Sequence, residues 1–113
     1  MDLRVEPGFH TYEVAMLAAR QGLAMLPRLK RSCPKLADQF SRALTSVPLN
    51  ISEGSGRQGK DRNHFFRIAY GSANEASTAL QLLLGLTTAQ NTGAQEVLTN
   101  LDRVRAMIWR LVN

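Results

Sequence analysis

Between Leu36 and Ile51 apolar side chains fall at Leu36, Phe40, Ala43, Leu44, Val47 and Ile51, the three-and-four spacing that places them on one helix face. The stripe runs out at Gly54-Ser55-Gly56, and glycine is favoured just past a helix C-terminus, where the backbone often turns left-handed. A helix over about 34–55 with one oily face is unstable alone in water and needs partners carrying matching faces. Pro48 lies inside the stripe and removes one backbone donor, so this helix is expected to be kinked at Pro48, with the Leu44 carbonyl seeking another partner. The stripe stays in phase across the proline, which argues for one helix rather than two.

Matching faces occur on both sides. From about Thr11, Val14, Leu17, Ala18 and Met25 keep helical spacing, giving a helix over about 11–29 that Pro27 weakens near its end. Arg28 to Pro34 reads as a connection, and Pro34 suits the first turn of the following helix. Phe65, Ala69, Ser72, Ala76, Leu80 and Leu83 share a face over about 60–88, with Gln90-Asn91-Thr92-Gly93 as the stop. Val97, Leu101, Val104, Ile108 and Leu111 mark a last helix over about 94–112. No segment alternates strictly between apolar and polar, so no sheet is expected. The chain of 113 residues fits one domain, 1–113, and short connections make it an all-α, up-down-up-down antiparallel four-helix bundle.

Some apolar residues fall off these stripes: Met16, Leu23, Phe66, Ile68, Tyr70, Met107 and Trp109. So many on a small bundle point to a subunit interface, hence a homo-oligomer. Cys33 is the single cysteine, so no disulfide forms within the chain. With only His10 and His64 beside it, a four-ligand zinc site is excluded within one copy. No secretory pattern opens the sequence, and the apolar run near Leu82 to Leu86 is too short for a bilayer. A cytoplasmic protein with no membrane role and no cofactor is expected.

Folding the second and third helices about residue 58 or 59 makes facing positions sum to about 117, which sets Arg42 level with Glu75 and Glu53 level with His64. Glu53, near a helix C-terminus, opposes the helix dipole and requires a cation; Arg57, one turn on, or Arg67, on the facing helix, can supply it. Asn50, Glu53, Arg57 and Arg67 are therefore read as a polar clasp at the turn, with Arg42–Glu75 as a second contact between the helices. Ala69, Gly71, Ser72, Ala73, Ala76, Ser77 and Ala79 are small, and close approach of the preceding helix is expected to offset the cost of Gly71 in a helix, roughly 1 kcal/mol.

Leu36-x-x-Gln39-x-x-Arg42-Ala43, Asn50-Ile51-Ser52-Glu53-Gly54-x-Gly56-Arg57, Phe65 or Phe66, and Ile68-Ala69-Tyr70-Gly71-Ser72-x-x-Glu75 follow one another in order. In these residues the chain resembles the bacterial four-helix bundle family encoded in intervening sequences of large-subunit ribosomal RNA genes, also described as ribosomal-protein-like. The likeness spans about Leu36 to Leu83. It implies a bundle assembled into a ring, a homopentamer. It also implies kinship with the accessory variability proteins of diversity-generating retroelements, pentameric bundles with a basic surface that engage nucleic acid and a reverse transcriptase. Pro48 departs from the family pattern, where an ordinary helix former is expected.

Lys and Arg total 14 against 9 Asp and Glu, a net charge of +5. They cluster in two connections: Arg28, Lys30, Arg31 and Lys35 before the second helix, and Arg57, Lys60, Arg62 and Arg67 around the next turn. These sit at opposite ends of an up-down bundle. Arg28, Lys30, Arg31, Lys35, Lys60 and Arg62 are the candidate contacts to RNA or DNA phosphates. Solvated loop charge accounts for the same clusters without a ligand, with Arg57 and Arg67 used internally. Gly54-Ser55-Gly56-Arg57-Gln58-Gly59 fits the dinucleotide expression G-x-G-x-x-G, but a helix rather than a strand precedes it, so it is read as a helix-ending turn. His64 has no nucleophile, oxyanion donor set or metal cluster placed beside it, and no catalytic residues are assigned. The function expected is a non-enzymatic, nucleic-acid-associated adaptor, with a protein-interaction ring that has no nucleic-acid role as the alternative and a reverse transcriptase or another protein as a further partner.

Overall fold

The computed structural model describes residues 8–86 and 93–113. The opening segment up to Pro7, the expected helix end near Thr88 and the run Gln90-Asn91-Thr92 lie outside them. Within them the chain is all-α and holds five helices: α1 (Phe9–Ala24), α2 (Leu26–Ser32), α3 (Pro34–Ser55), α4 (Gly59–Gly85) and α5 (Ala94–Val112).

The count corrects the expectation of four, because the stretch expected as one helix over 11–29 is two. Pro27 has no N–H to give the Leu23 carbonyl, and the backbone tightens two residues earlier, at Met25. The Met25 N–H donates to the Gly22 carbonyl (3.0 Å), and the N–H groups of Arg28 and Leu29 both turn back to the Met25 carbonyl (3.1 Å each). Met25 becomes a buried elbow between α1 and α2. Cys33 then takes an extended backbone, φ −156° and ψ 97°, as a residue preceding proline tends to, and Pro34 opens α3 at its first turn.

α3 passes through a buried Pro48 as one helix. Side chains return hydrogen bonds to carbonyls on both sides of the proline: Thr45 Oγ1 to Ser41 O (3.0 Å), Asn50 Nδ2 to Ser46 O (2.9 Å) and Ser55 Oγ to Ile51 O (2.8 Å). Its expected stripe faces inward, with Phe40, Leu44, Val47 and Ile51 essentially fully buried and Leu36 half-buried at the edge.

The largest helix–helix contact is between α3 and α4; α1 packs on α3 and α5, and α4 on α3 and α5. Gly54 of α3 lies against Phe66 of α4, Ser46 Oγ meets Ser72 Oγ at 2.8 Å, and Leu36 shares a groove with Leu82. Residue numbers thus fall along one helix as they rise along the other. Gly22 lets α1 close on α3, since a β-carbon there would stand 2.4 Å from Leu44 Cδ2. The helices enclose one core, in which Phe40, Phe66, Leu44, Ile51, Leu80, Leu83, Leu101 and Ile108 are the bulkiest buried side chains. The molecule measures 44 × 21 × 21 Å along its principal axes.

Two expectations on α4 are corrected. Phe66, expected outside the stripe, is fully buried, and Phe65, expected in it, is half-buried. The inward face therefore runs Phe66, Ala69, Ala73, Ala76, Leu80, Leu83, with the aromatic ring fitted over Gly54. Gly71 is exposed, with open space where a β-carbon would stand, so no close helix approach offsets its cost.

Candidate functional site

At the α3–α4 turn, α3 ends at Ser55, Gly56 caps it, and α4 starts at Gly59 with φ +59°, in the left-handed region that favours glycine. Arg57, between the two helices, reaches both. One guanidinium nitrogen donates to Glu53 Oε1 and the other to Asp61 Oδ2, each at 2.8 Å, while the guanidinium carbon lies 4.6 Å from the centre of the Phe65 ring. The Glu53 bond first, and the Asp61 bond after it, push the Arg57 guanidinium above its ordinary value. With two carboxylates on one cation the turn offers no surplus positive charge from Arg57.

The expected clasp is thus smaller and differently made. Glu53 and Arg57 meet, and Asp61 is the third member. Asn50 instead bonds the Ser46 carbonyl and hydroxyl on its own helix, both at 2.9 Å. Arg67 points to the end of α5, where it donates to the Val112 carbonyl at 3.5 Å. Arg62 lies beside it, donating to the Leu111 carbonyl at 3.1 Å with its guanidinium 5.2 Å from the Phe66 ring centre. The last carbonyls of a helix lack intrahelical donors and carry partial negative charge, so two arginines on a neighbouring helix suit them.

The Arg42–Glu75 contact is not formed. Arg42 takes Asp38 of its own helix at 2.7 Å, and both side chains are mostly exposed. A carboxylate one turn away is nearer than one on another helix, and position 42 sits off the buried stripe. Glu75 is exposed at a groove of about 390 Å³ lined by Leu36, Gln39, Thr78 and Leu82. His64, expected level with Glu53, is exposed and edge-on to Phe65, ring centres 5.3 Å apart.

The other basic connection is open. Lys30 and Arg31 occupy the last turn of α2 and Lys35 the first turn of α3, all exposed. Among the described residues no carboxylate pairs with these three. Arg28 is half-buried, as is Cys33 at the hinge between the helices. Lys60, at the start of α4, is also exposed.

A third feature joins residues that sequence spacing kept apart. Tyr70 of α4 and Trp109 of α5 approach with ring centres 6.3 Å apart and planes at 45°. With Arg67, Val112 and Asn113 they line a cleft of about 290 Å³, and Trp109 remains 58% exposed. Nearby, Arg105 donates to Asn74 Oδ1 at 2.8 Å and pairs with Asp102, which pins α5 to α4. Both aromatics were visible in the sequence as stray apolar residues, but their meeting depends on how α4 and α5 pack.

Among the described residues no three His, Cys, Asp or Glu converge as metal ligands, and no helix is long and apolar enough to cross a membrane.

The family model of the 23S rRNA-intervening sequence protein matches residues 13–110. A crystal structure of a protein of unknown function from the S23 ribosomal protein family of Bacteroides thetaiotaomicron VPI-5482 is similar in fold. Its TM-score is 0.78 at 18% sequence identity, and the match covers 91% of this chain and 98% of that one. No curated protein matches the chain.

Proposed function

This chain belongs to the 23S rRNA-intervening sequence protein family, and from that membership we propose a non-enzymatic, self-associating helical bundle of the cytoplasm that attaches to RNA or DNA through the connection between α2 and α3. The observation that carries this reading is the exposure of Lys30, Arg31 and Lys35 with no carboxylate partner among the described residues. Cations already held by carboxylates gain little from a phosphate, whereas free ones release counterions from the polyanion as they bind. Arg57 and Arg62 are committed elsewhere, so the α3–α4 turn itself contributes Lys60.

In this reading the four long helices form an up-down-up-down bundle, and copies assemble through outward apolar side chains such as Leu82 and Leu86. A homopentamer follows from the family resemblance. A ring repeats the basic connection once per copy, so a strand meeting several copies binds by avidity rather than by one tight contact. A reverse transcriptase or other protein partner fits the same adaptor role. The exposure of Leu49 and Leu82, 67% and 56%, supports the second reading, a protein-interaction ring with no nucleic-acid role.

Titrating labelled RNA and DNA at two salt concentrations separates the readings. Salt-sensitive binding, weakened in the Lys30→Ala, Arg31→Ala, Lys35→Ala triple variant, supports the adaptor; no binding at low salt removes it. Sedimentation of the same samples measures the assembly.

A further inference from the structure

We infer that the α4–α5 cleft lined by Arg67, Tyr70 and Trp109 is a stacking site for an unpaired nucleobase of single-stranded nucleic acid, with Arg67 taking the adjoining phosphate. The inference rests on the nucleic-acid reading above and adds to it the state of the strand and a second contact point, remote from Lys30 and Arg31.

The geometry of the rings comes first. At 45° and 6.3 Å between centres, Tyr70 and Trp109 do not cover each other's faces. They form two inclined walls, and the indole keeps 58% of its surface open. A flat ring sliding onto the indole face gains stacking that needs no particular base, because every base presents a π-face. Val112 adds apolar lining, and the Asn113 amide donates to the Trp109 carbonyl at 3.2 Å.

Charge then selects among flat ligands. Arg67 is exposed, and among the described residues its one hydrogen bond, 3.5 Å to the Val112 carbonyl, is at the limit of such a bond. The cleft lining contains no Asp or Glu side chain, and Arg67 is the one basic side chain in it, placed to meet an anion beside the base. Two other occupants fit worse. A duplex keeps its bases stacked inside and offers only phosphates, leaving the indole wet. A second copy docked face to face on the same patch would bring two Arg67 side chains together with no Asp or Glu side chain in either lining.

The chain has a single tryptophan, so its emission reports on this cleft alone. The full-length protein is titrated with short oligo(dT) and oligo(U), with an abasic strand of equal length and charge, and with inorganic phosphate, while anisotropy of a labelled strand records binding separately. The expected result is quenching by the base-bearing strands and none by the abasic strand or phosphate. Trp109→Ala weakens a base-bearing strand at least about fivefold, with Trp109→Tyr recovering part of the loss and circular dichroism showing that both variants fold. Arg67→Ala instead lowers the salt dependence of binding. Binding without quenching, or equal quenching by the abasic strand, overturns the stacking site and leaves the basic connection standing. Absence of binding at low salt overturns both. Emission that shifts on concentrating the protein alone, with no response to any strand, assigns the cleft to a neighbouring copy and overturns the inference.

Discussion

Phe66 lies so close over Gly54 that a methyl group on that α-carbon would meet two carbons of the ring at 2.7 Å and the Arg62 carbonyl oxygen at 3.1 Å. The glycine that ends the α3 stripe is therefore a packing residue as much as a helix terminator, and it explains why Phe66 rather than Phe65 enters the core.

Gly54→Ala is expected to destabilise the fold by about 1–2 kcal/mol, the strain of overpacking exceeding the helix-propensity gain of alanine. Gly71→Ala, where nothing stands within 4 Å, is expected to stabilise it by about 0.5–1 kcal/mol. Urea denaturation of the two variants checks both signs, and a stabilised Gly54→Ala would contradict the contact.

Phe66→Ala empties a fully buried position and is expected to cost about 3–5 kcal/mol, enough to unfold a marginal domain. Phe65→Ala, which removes a half-buried ring from under Arg57, is expected to cost much less. Thermal melts of the pair read out which aromatic faces the core; equal losses would reject the assignment.

Arg42→Ala and Glu75→Ala are each expected to change stability by no more than about 0.5 kcal/mol, as exposed substitutions do. A double-mutant cycle on the two should return no coupling. A coupling of about 1 kcal/mol or more would mean that the side chains meet after all.

Arg57→Ala breaks both ties across the α3–α4 turn. The urea midpoint is expected to fall in dilute buffer, and the gap to the parent protein to narrow in about 1 M salt, where the screening length is about 3 Å. A gap indifferent to salt would assign the loss to the Phe65 contact instead.

The Lys30→Ala, Arg31→Ala, Lys35→Ala variant is expected to flatten the plot of log affinity against log salt by roughly 2–3, one contact per side chain removed. An unchanged slope would place the phosphate contacts elsewhere.

What the sequence disclosed follows from the range of each interaction. The α3 and α5 stripes were legible because helical periodicity is local, and Phe40, Leu44, Val47, Ile51 and Val97, Leu101, Val104, Ile108 are all buried. The exposed basic residues between α2 and α3 were equally plain. The Arg57–Glu53 pairing follows from i,i+4 spacing; Arg57 and Asp61 have the same spacing but lie across the turn, where helical spacing does not place side chains together. The choice between Phe65 and Phe66 was not legible, since two neighbouring side chains differ by one step of rotation and the decision rests on a missing β-carbon in another helix. Nor were the contacts of Arg62 and Arg67 with the Leu111 and Val112 carbonyls, or the meeting of Tyr70 with Trp109. Each joins residues forty or so positions apart, which spacing rules do not see. Pro27 marks a weak point in the sequence, but the break between the helices falls two residues upstream, at Met25.

Two arginines lash one pole of the rod together: Arg57 ties α3 to α4, and Arg62 grips the tail of α5. Thermal breathing ought then to begin at the far pole, so that amide deuteration sweeps from the Met25 elbow toward Phe66. If the α5 tail exchanges first, the lashing is slack.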